Sequence, residues 1–259
     1  MLKTYFVDGD KGGVGKSFVS RCVVDMLLNS EKYGHDHIGQ IIVVDADPAN
    51  PDVCGPGGFV SESINDTQIL PFNCPIRSES DWISAIDAVH NAVRPDANAR
   101  VVFSLPAAAG LVIRENATVI EMMQFLEGVP VWVLSNDESS VKQLADRVEA
   151  FPLRYSHGFV IRNLKHGVGD SFHSWNESMI RRKLLLGQDG YNWNCIDLPV
   201  LNSVVVGKIG MLPLHRAAEK ALSPAGGIGA GSRIVIDTYR AAAGNALKLL
   251  ETPVEVANG

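Results

Sequence analysis

Lys11-Gly12-Gly13-Val14-Gly15-Lys16-Ser17 is the stretch on which the reading of this chain turns. It follows a short apolar run, Thr4 to Val7, and leads into a segment in which Val19, Cys22, Val23, Met26 and Leu27 recur at helical spacing. A strand, a glycine-rich loop and a helix start in that order bring backbone N–H groups together at a helix N-terminus, where the dipole favours an anion. Gly12, Gly13 and Gly15 allow a tight path and the close approach of a phosphate. Lys16 would reach the β and γ oxygens as a point charge, and Ser17 would offer its hydroxyl to Mg²⁺.

Outward from this loop, short apolar runs recur at Ile41 to Val44, Val101 to Leu105, Val129 to Leu134, Gly158 to Ile161 and, more weakly, Asn194 to Leu198. Continuous rather than alternating apolarity marks strands covered on both faces, as in a parallel sheet. Between them lie helical stripes: Trp82, Ile83, Ile86, Val89 and Val93 before Pro95, and Val141, Leu144, Val148 and Phe151 before Pro152, with Ser139 and Ser140 as candidate caps. The alternation predicts an α/β fold with a doubly wound, mainly parallel sheet, helices on both faces and a ligand beyond the carboxyl ends of the strands.

With 259 residues and 46% hydrophobic content, one domain spanning 1–259 is expected. Mobile loops are expected near 52–58 and 223–231, and a C-terminal helix near 232–250. A net charge of −6 argues against a dedicated nucleic-acid coat and leaves room for a local basic patch. Cys22, Cys54, Cys74 and Cys195 form no Cys-x-x-Cys pair and read as free thiols. Neither a secretory signal nor an apolar run of roughly 18 residues is present, so a cytoplasmic protein is expected.

Lys-Gly-Gly-Val-Gly-Lys-Ser resembles the deviant Walker A motif of the ParA/MinD ATPases, in which a second lysine, here Lys11, reaches across an ATP-sandwich dimer to the other subunit's nucleotide. Asp10 stands where the usual Walker pattern has its first glycine. The resemblance implies ATP and Mg²⁺ as cofactors, Lys11 and Lys16 as catalytic lysines, and nucleotide contacts from Gly12, Gly13, Val14, Gly15, Lys16, Ser17 and Phe18. Val43-Val44-Asp45-Ala46-Asp47-Pro48 is similar to the family's switch I, which would place Asp45 with Ser17 near Mg²⁺ and let Asp47 orient the attacking water. Phe159-Val160-Ile161-Arg162-Asn163 resembles the strand whose terminal Asn163 reads adenine, and Ile196-Asp197-Leu198-Pro199 the segment that brings Pro199 into the base pocket. The chain departs from the family in Val101-Val102-Phe103-Ser104-Leu105-Pro106, where Ser104 takes the place of an aspartate and brings no charge to the metal.

The layout, with Arg233 ahead of the last helix, looks most like the plasmid StbB/TraL-type ATPases of stability and conjugative transfer. The cysteine bridges of iron–sulfur relatives are missing, and the tail from Glu251 is acidic and proline-broken, unlike the basic membrane helix of MinD. The expected function is an ATP-dependent dimerisation switch in plasmid partition, stability or conjugative DNA transfer. Its partners would be a second copy of the chain and a DNA-binding adaptor protein or non-specific DNA, with no membrane. Ser104 keeps open a nucleotide-binding adaptor with little or no hydrolysis, and a metabolic ligase or small-molecule kinase on the same fold is a third reading. Arg181-Arg182-Lys183 reads as a solvated helix face or as part of a DNA-facing patch, and the acidic total favours the first. The histidines show no metal-like spacing, and Trp175 and Trp193 read as packing residues.

Overall fold

Along the first strand, β1 (Leu2–Asp8), Tyr5 and Val7 enter one core and Phe6 enters another, because successive side chains of a strand leave opposite faces. The division repeats in β2 (Gln40–Asp45), where Ile41 and Val43 oppose Ile42 and Val44, and in β5 (Ala99–Ser104), where Val102 opposes Val101 and Phe103. Both faces of these strands are covered, which is why their sequences read as unbroken apolar runs. The computed structural model describes residues 1–9, 11–107, 109–150, 156–223 and 227–252. Asp10, the Phe151-Pro152 helix stop, the centre of the 223–231 loop and the tail beyond residue 252 lie outside the described residues.

The remaining strands are β3 (Glu62–Ile64), β4 (Thr67–Asn73), β6 (Gly128–Leu134), β7 (His157–Asn163) and β8 (Asn192–Leu198). They form one eight-stranded sheet in the order β3-β4-β2-β5-β1-β6-β7-β8, parallel throughout except for the antiparallel β3–β4 pair. One face carries α1 (Lys16–Leu27), α8 (Ser203–Ile209), α9 (Leu214–Lys220) and α10 (Ala230–Leu247). The other carries α2 (Glu79–Ala92), α3 (Ala109–Glu115), α4 (Ala117–Phe125), α5 (Glu138–Ala150), α6 (His173–Glu177) and α7 (Met179–Leu185). The predicted doubly wound sheet is the observed one. From β1 the chain runs out through β2 to β4, returns to set β5 beside β1, and then winds the other way through β6, β7 and β8, so the crevice at the carboxyl ends of β5, β1 and β6 is the switch point at which such sheets bind ligands.

The sequence reading missed β3 and β4. β4 is interrupted by Pro71 and carries a mixed burial pattern, so neither periodicity is visible in it. β3 pairs only as far as Ile69, which leaves β4 an edge strand at Pro71, where a missing donor is tolerated. Their turn is Asn65-Asp66, both at positive φ (48° and 64°), a two-residue hairpin that lacks the usual glycine. The 52–58 stretch, expected as a loop, is a run of closed turns: Gly55 N bonds Pro51 O at 2.9 Å, Gly58 N bonds Gly55 O at 2.9 Å, and Phe59 N bonds Val53 O at 2.8 Å. The segment leading to Arg181-Arg182-Lys183 is divided into α6 and α7 at Ser178, whose hydroxyl caps Arg181 N at 3.1 Å. Ser139 and Ser140 lie inside the first turn of α5 rather than capping it.

α10 is held on α1 by polar contacts buried in the packing. The Arg240 guanidinium grips the Asp25 carboxylate, with Nε 3.0 Å from both oxygens, and Cys22 Sγ meets Tyr239 Oη at 3.5 Å. At the opposite end of the sheet from the glycine-rich loop, Glu251 closes a bidentate pair with Arg100 (2.8 and 2.7 Å) and also accepts from Tyr5 Oη at 2.5 Å. The C-terminal segment is thereby tied to the first and fifth strands. No described helix is long and apolar enough to cross a membrane.

Candidate functional site

The loop after β1 delivers the chain to the N-terminus of α1 through Gly15, which sits in the left-handed region at φ 102°. A β-carbon there would lie 2.4 Å from Asn163 Nδ2, so only glycine fits both the backbone and the space. Lys11, Gly12 and Gly13 are exposed on the rim, whereas Val14 is buried beneath them. Lys16 is almost fully buried and turns back over the loop to donate to Lys11 O at 3.0 Å. Ser17 follows in the first turn of α1, half-buried. Backbone amides, a twelve-residue helix and a cation inside the loop's curl make an anion cradle.

Phe18, next along α1, is partly buried. Its ring packs 5.8 Å from Tyr239 of α10 and lies under the Arg21 guanidinium at 5.4 Å. Arg21 in turn donates to Gly210 O at 2.6 Å, which ties α1 to the connection between α8 and α9. The structure therefore gives Phe18 a packing role between helices.

Asp45 and Ser104 end neighbouring strands in register, and Ser104 is also in register with Val7 of β1, so both stand beside the loop's root. Asp45 is buried, and its carboxylate accepts from Val53 N at 2.8 Å, Cys54 N at 3.0 Å and Asp47 N at 3.3 Å. Burial pushes this carboxyl above its usual range, and the three amide donors partly offset that. Asp47 accepts from Ala49 N at 2.9 Å and Asn50 N at 3.1 Å, closing a side-chain turn at the mouth of the crevice. Both aspartates hold the shape of the loop after β2. Of the roughly four lone-pair sites of the Asp45 carboxylate, the amides take three, which leaves room for one more donor or a hydrated cation.

Asn163 ends β7 against the loop. Its Nδ2 donates to Val14 O at 2.8 Å and its Oδ1 accepts from Lys165 N at 3.2 Å, so the carboxamide fixes the glycine-rich loop and keeps one N–H for another acceptor. His166 Nε2 stands 3.3 Å from the same Val14 carbonyl and must be the donor there, since a carbonyl only accepts. Pro199 follows Leu198, which is in register with Asn163, and so lies at the same edge. His166 carries no signal in the sequence pattern, and neither does Asp8, whose carboxylate at the end of β1 meets Arg147 of α5 at 2.6 Å and accepts from Gly9 N at 2.8 Å. Asp137, just ahead of α5, was also unanticipated: Lys11 Nζ lies 2.5 Å from its Oδ2.

The cradle fits a triphosphate in its donors. Lys16 and the loop amides would hold the phosphates, while Ser17 and Asp45 would share Mg²⁺ with them. Among the described residues no group of three or more His, Cys, Asp or Glu could hold a metal, so the cation would depend on phosphate oxygens and water. Trp175 and Trp193 are buried in the core, as expected. Arg181 and Lys183 are half-buried on α7, and Arg182 is exposed.

No family model matches the chain. Protein MobD of Acidithiobacillus ferrooxidans is 27% identical to it over 183 residues, 68% of this chain and 70% of that protein. A putative plasmid partition protein from Borrelia burgdorferi B31, solved bound to AMPPNP, superposes with a TM-score of 0.52 at 12% identity, covering 97% of this chain and 100% of its own. The MinD cell division protein of Aquifex aeolicus gives a TM-score of 0.46 at 13% identity over 99% of this chain and 100% of its own. The chain shares the fold of the Borrelia partition protein, built here on an eight-stranded sheet.

Proposed function

We propose that this chain is an ATP-binding switch of the ParA/MinD kind, whose nucleotide-bound form dimerises through Lys11 and acts in plasmid partition, stability or conjugative DNA transfer. The observation that carries the reading is the cradle itself: Lys16 curled inside the glycine-rich loop at the N-terminus of α1, with Gly15 and Asn163 fitted together behind it. The likeness to Protein MobD and the fold shared with a plasmid partition protein support the DNA-transfer setting. A DNA-bound adaptor or non-specific DNA would then read the dimer.

Bound ATP and Mg²⁺ would supply an activated phosphoanhydride whose charge the metal helps to neutralise. Lys16 holds its ammonium at the cradle, and Ser17 presents a hydroxyl from the first turn of α1. Both amide bonds of the Asp47 turn go to one carboxylate oxygen, Oδ1, and its other oxygen would orient a water. Lys16→Ala is expected to abolish nucleotide binding in calorimetry. Lys11→Ala should keep binding and lose ATP-dependent dimerisation in analytical ultracentrifugation, and an unchanged dimer would overturn the sandwich reading.

Ser104 favours a second reading, a nucleotide-binding adaptor with little hydrolysis. It is buried at the end of β5 in register with Asp45 and Val7, where it brings a hydroxyl but no charge. Phosphate release measured with Mg²⁺ and double-stranded DNA separates the two readings. Turnover above background that disappears in Asp47→Ala would reject the adaptor.

A further inference from the structure

Lys11 and Asp137 are 126 positions apart in the chain, yet Nζ and Oδ2 meet at 2.5 Å. About half of each side chain is exposed (50% and 51%), so the pair sits on the surface at the rim of the cradle. Asp137 is prepared as an anion. It lies immediately before α5, whose N-terminal dipole favours negative charge, and Ser135 Oγ donates to the same Oδ2 at 3.3 Å. The hydrogen bond and charge of Lys11 hold the Asp137 carboxyl below its usual range. Ser140 N bonds Asp137 O at 3.2 Å, which anchors the backbone of Asp137 to the first turn of α5.

We propose that Asp137 is a positioning residue that holds Lys11 in cis in the nucleotide-free monomer, so that dimerisation has to break the Lys11–Asp137 ion pair before Lys11 can serve the other subunit. The inference rests on the dimer-switch reading of Lys11 and adds its regulation. An ammonium engaged by a carboxylate of its own subunit cannot at the same time extend across a dimer interface. The latch raises the ATP concentration at which dimers form, and it does so through charge alone. It weakens as salt rises, because both partners are solvated.

The experiment is an ATP titration of dimerisation by analytical ultracentrifugation at low and high ionic strength, comparing the full chain with Asp137→Asn and Asp137→Glu. Asparagine is isosteric and caps helices as aspartate does, so the fold is kept. At low salt the Asp137→Asn midpoint should fall about two- to fivefold, a shift of the size exposed ion pairs produce. That shift should vanish at high salt, and Asp137→Glu should restore wild-type behaviour. An unchanged midpoint at low salt, or a shift that salt does not remove, overturns the latch. If the wild-type chain stays monomeric at saturating ATP, the dimer reading itself fails, and the latch is decided separately on nucleotide-free protein. There, acetic anhydride should modify Lys11 faster in Asp137→Asn than in wild type, relative to the other lysines in the same mass spectrum. Equal rates would overturn the latch on that measurement too.

Discussion

Gly15 shows how narrowly the cradle is specified at a single residue. Its φ of 102° and the 2.4 Å approach of Asn163 Nδ2 to a would-be β-carbon are two independent demands on one position. Gly15→Ala should cost at least about 1–2 kcal/mol from the left-handed backbone alone, with a further penalty from pushing Asn163 off Val14 O. Because Asn163 is the group in the way, removing it relieves part of the clash. A double-mutant cycle of Gly15→Ala and Asn163→Ala in urea denaturation should therefore be less than additive. Strictly additive costs would mean that the two residues do not press on each other. The same pair explains why Asn163 is bound to the loop, with its carboxamide oriented by Val14 O and Lys165 N.

At the scale of elements, the β3–β4 hairpin is docked on α9 through His215. Its Nε2 lies 3.2 Å from Glu62 Oε1, its ring packs 6.1 Å from Phe59, and its Nδ1 is buried without a hydrogen-bond partner among the described residues. Arg216 grips the same Glu62 through Nη2 at 2.9 Å and Nε at 3.1 Å. Burial holds the His215 imidazole below its ordinary value of 6.5, and Glu62 offsets only part of that. Well above pH 6.5 the ring is neutral in both folded and unfolded chains, and it contributes no slope. As pH falls through 6.5 the unfolded chain takes up the proton first, so this contribution to stability is lost progressively until the folded-state value is passed. His215→Gln should flatten the fall in urea midpoint as pH drops below 6.5, and an unaltered slope would assign the acid sensitivity to other groups. The hairpin matters because the loop from Asp45 to Phe59 runs directly into it, which places His215 and Arg216 at the far end of the segment that Asp45 and Asp47 shape.

Over the whole molecule, the sheet is shared between two cores. Val102 and Phe103 are adjacent in sequence and belong to different cores. All four tryptophans of the chain, Trp82, Trp132, Trp175 and Trp193, pack on the face that carries α2 to α7, while Cys22 is buried on the face that carries α1 and α10. Tryptophan fluorescence and Cys22 labelling thus report opposite layers. Because each strand's backbone serves both layers, the two probes should give coincident urea transitions, as a cooperative domain requires. Separate midpoints would show that one helical layer can detach while the sheet survives.

The sequence by itself determined the α/β class, the cradle between β1 and α1 and most of the parallel strands. Those signals are local: a covered strand is apolar at every position, and a phosphate loop needs its glycines and lysine within a few residues. β4 escaped because an edge strand with Pro71 carries neither periodicity, and β3 because a three-residue strand has too few positions to show one. Only the tertiary structure decided how the polar groups are spent. Asn163 meets Val14 across 149 positions, Lys11 meets Asp137 across 126, and Arg147 meets Asp8 across 139. Hydrogen bonds and ion pairs act within about 3 Å, whereas a sequence pattern records neighbours along the chain. Strands folded side by side bring those distant residues to one edge, and that edge is where the candidate site lies.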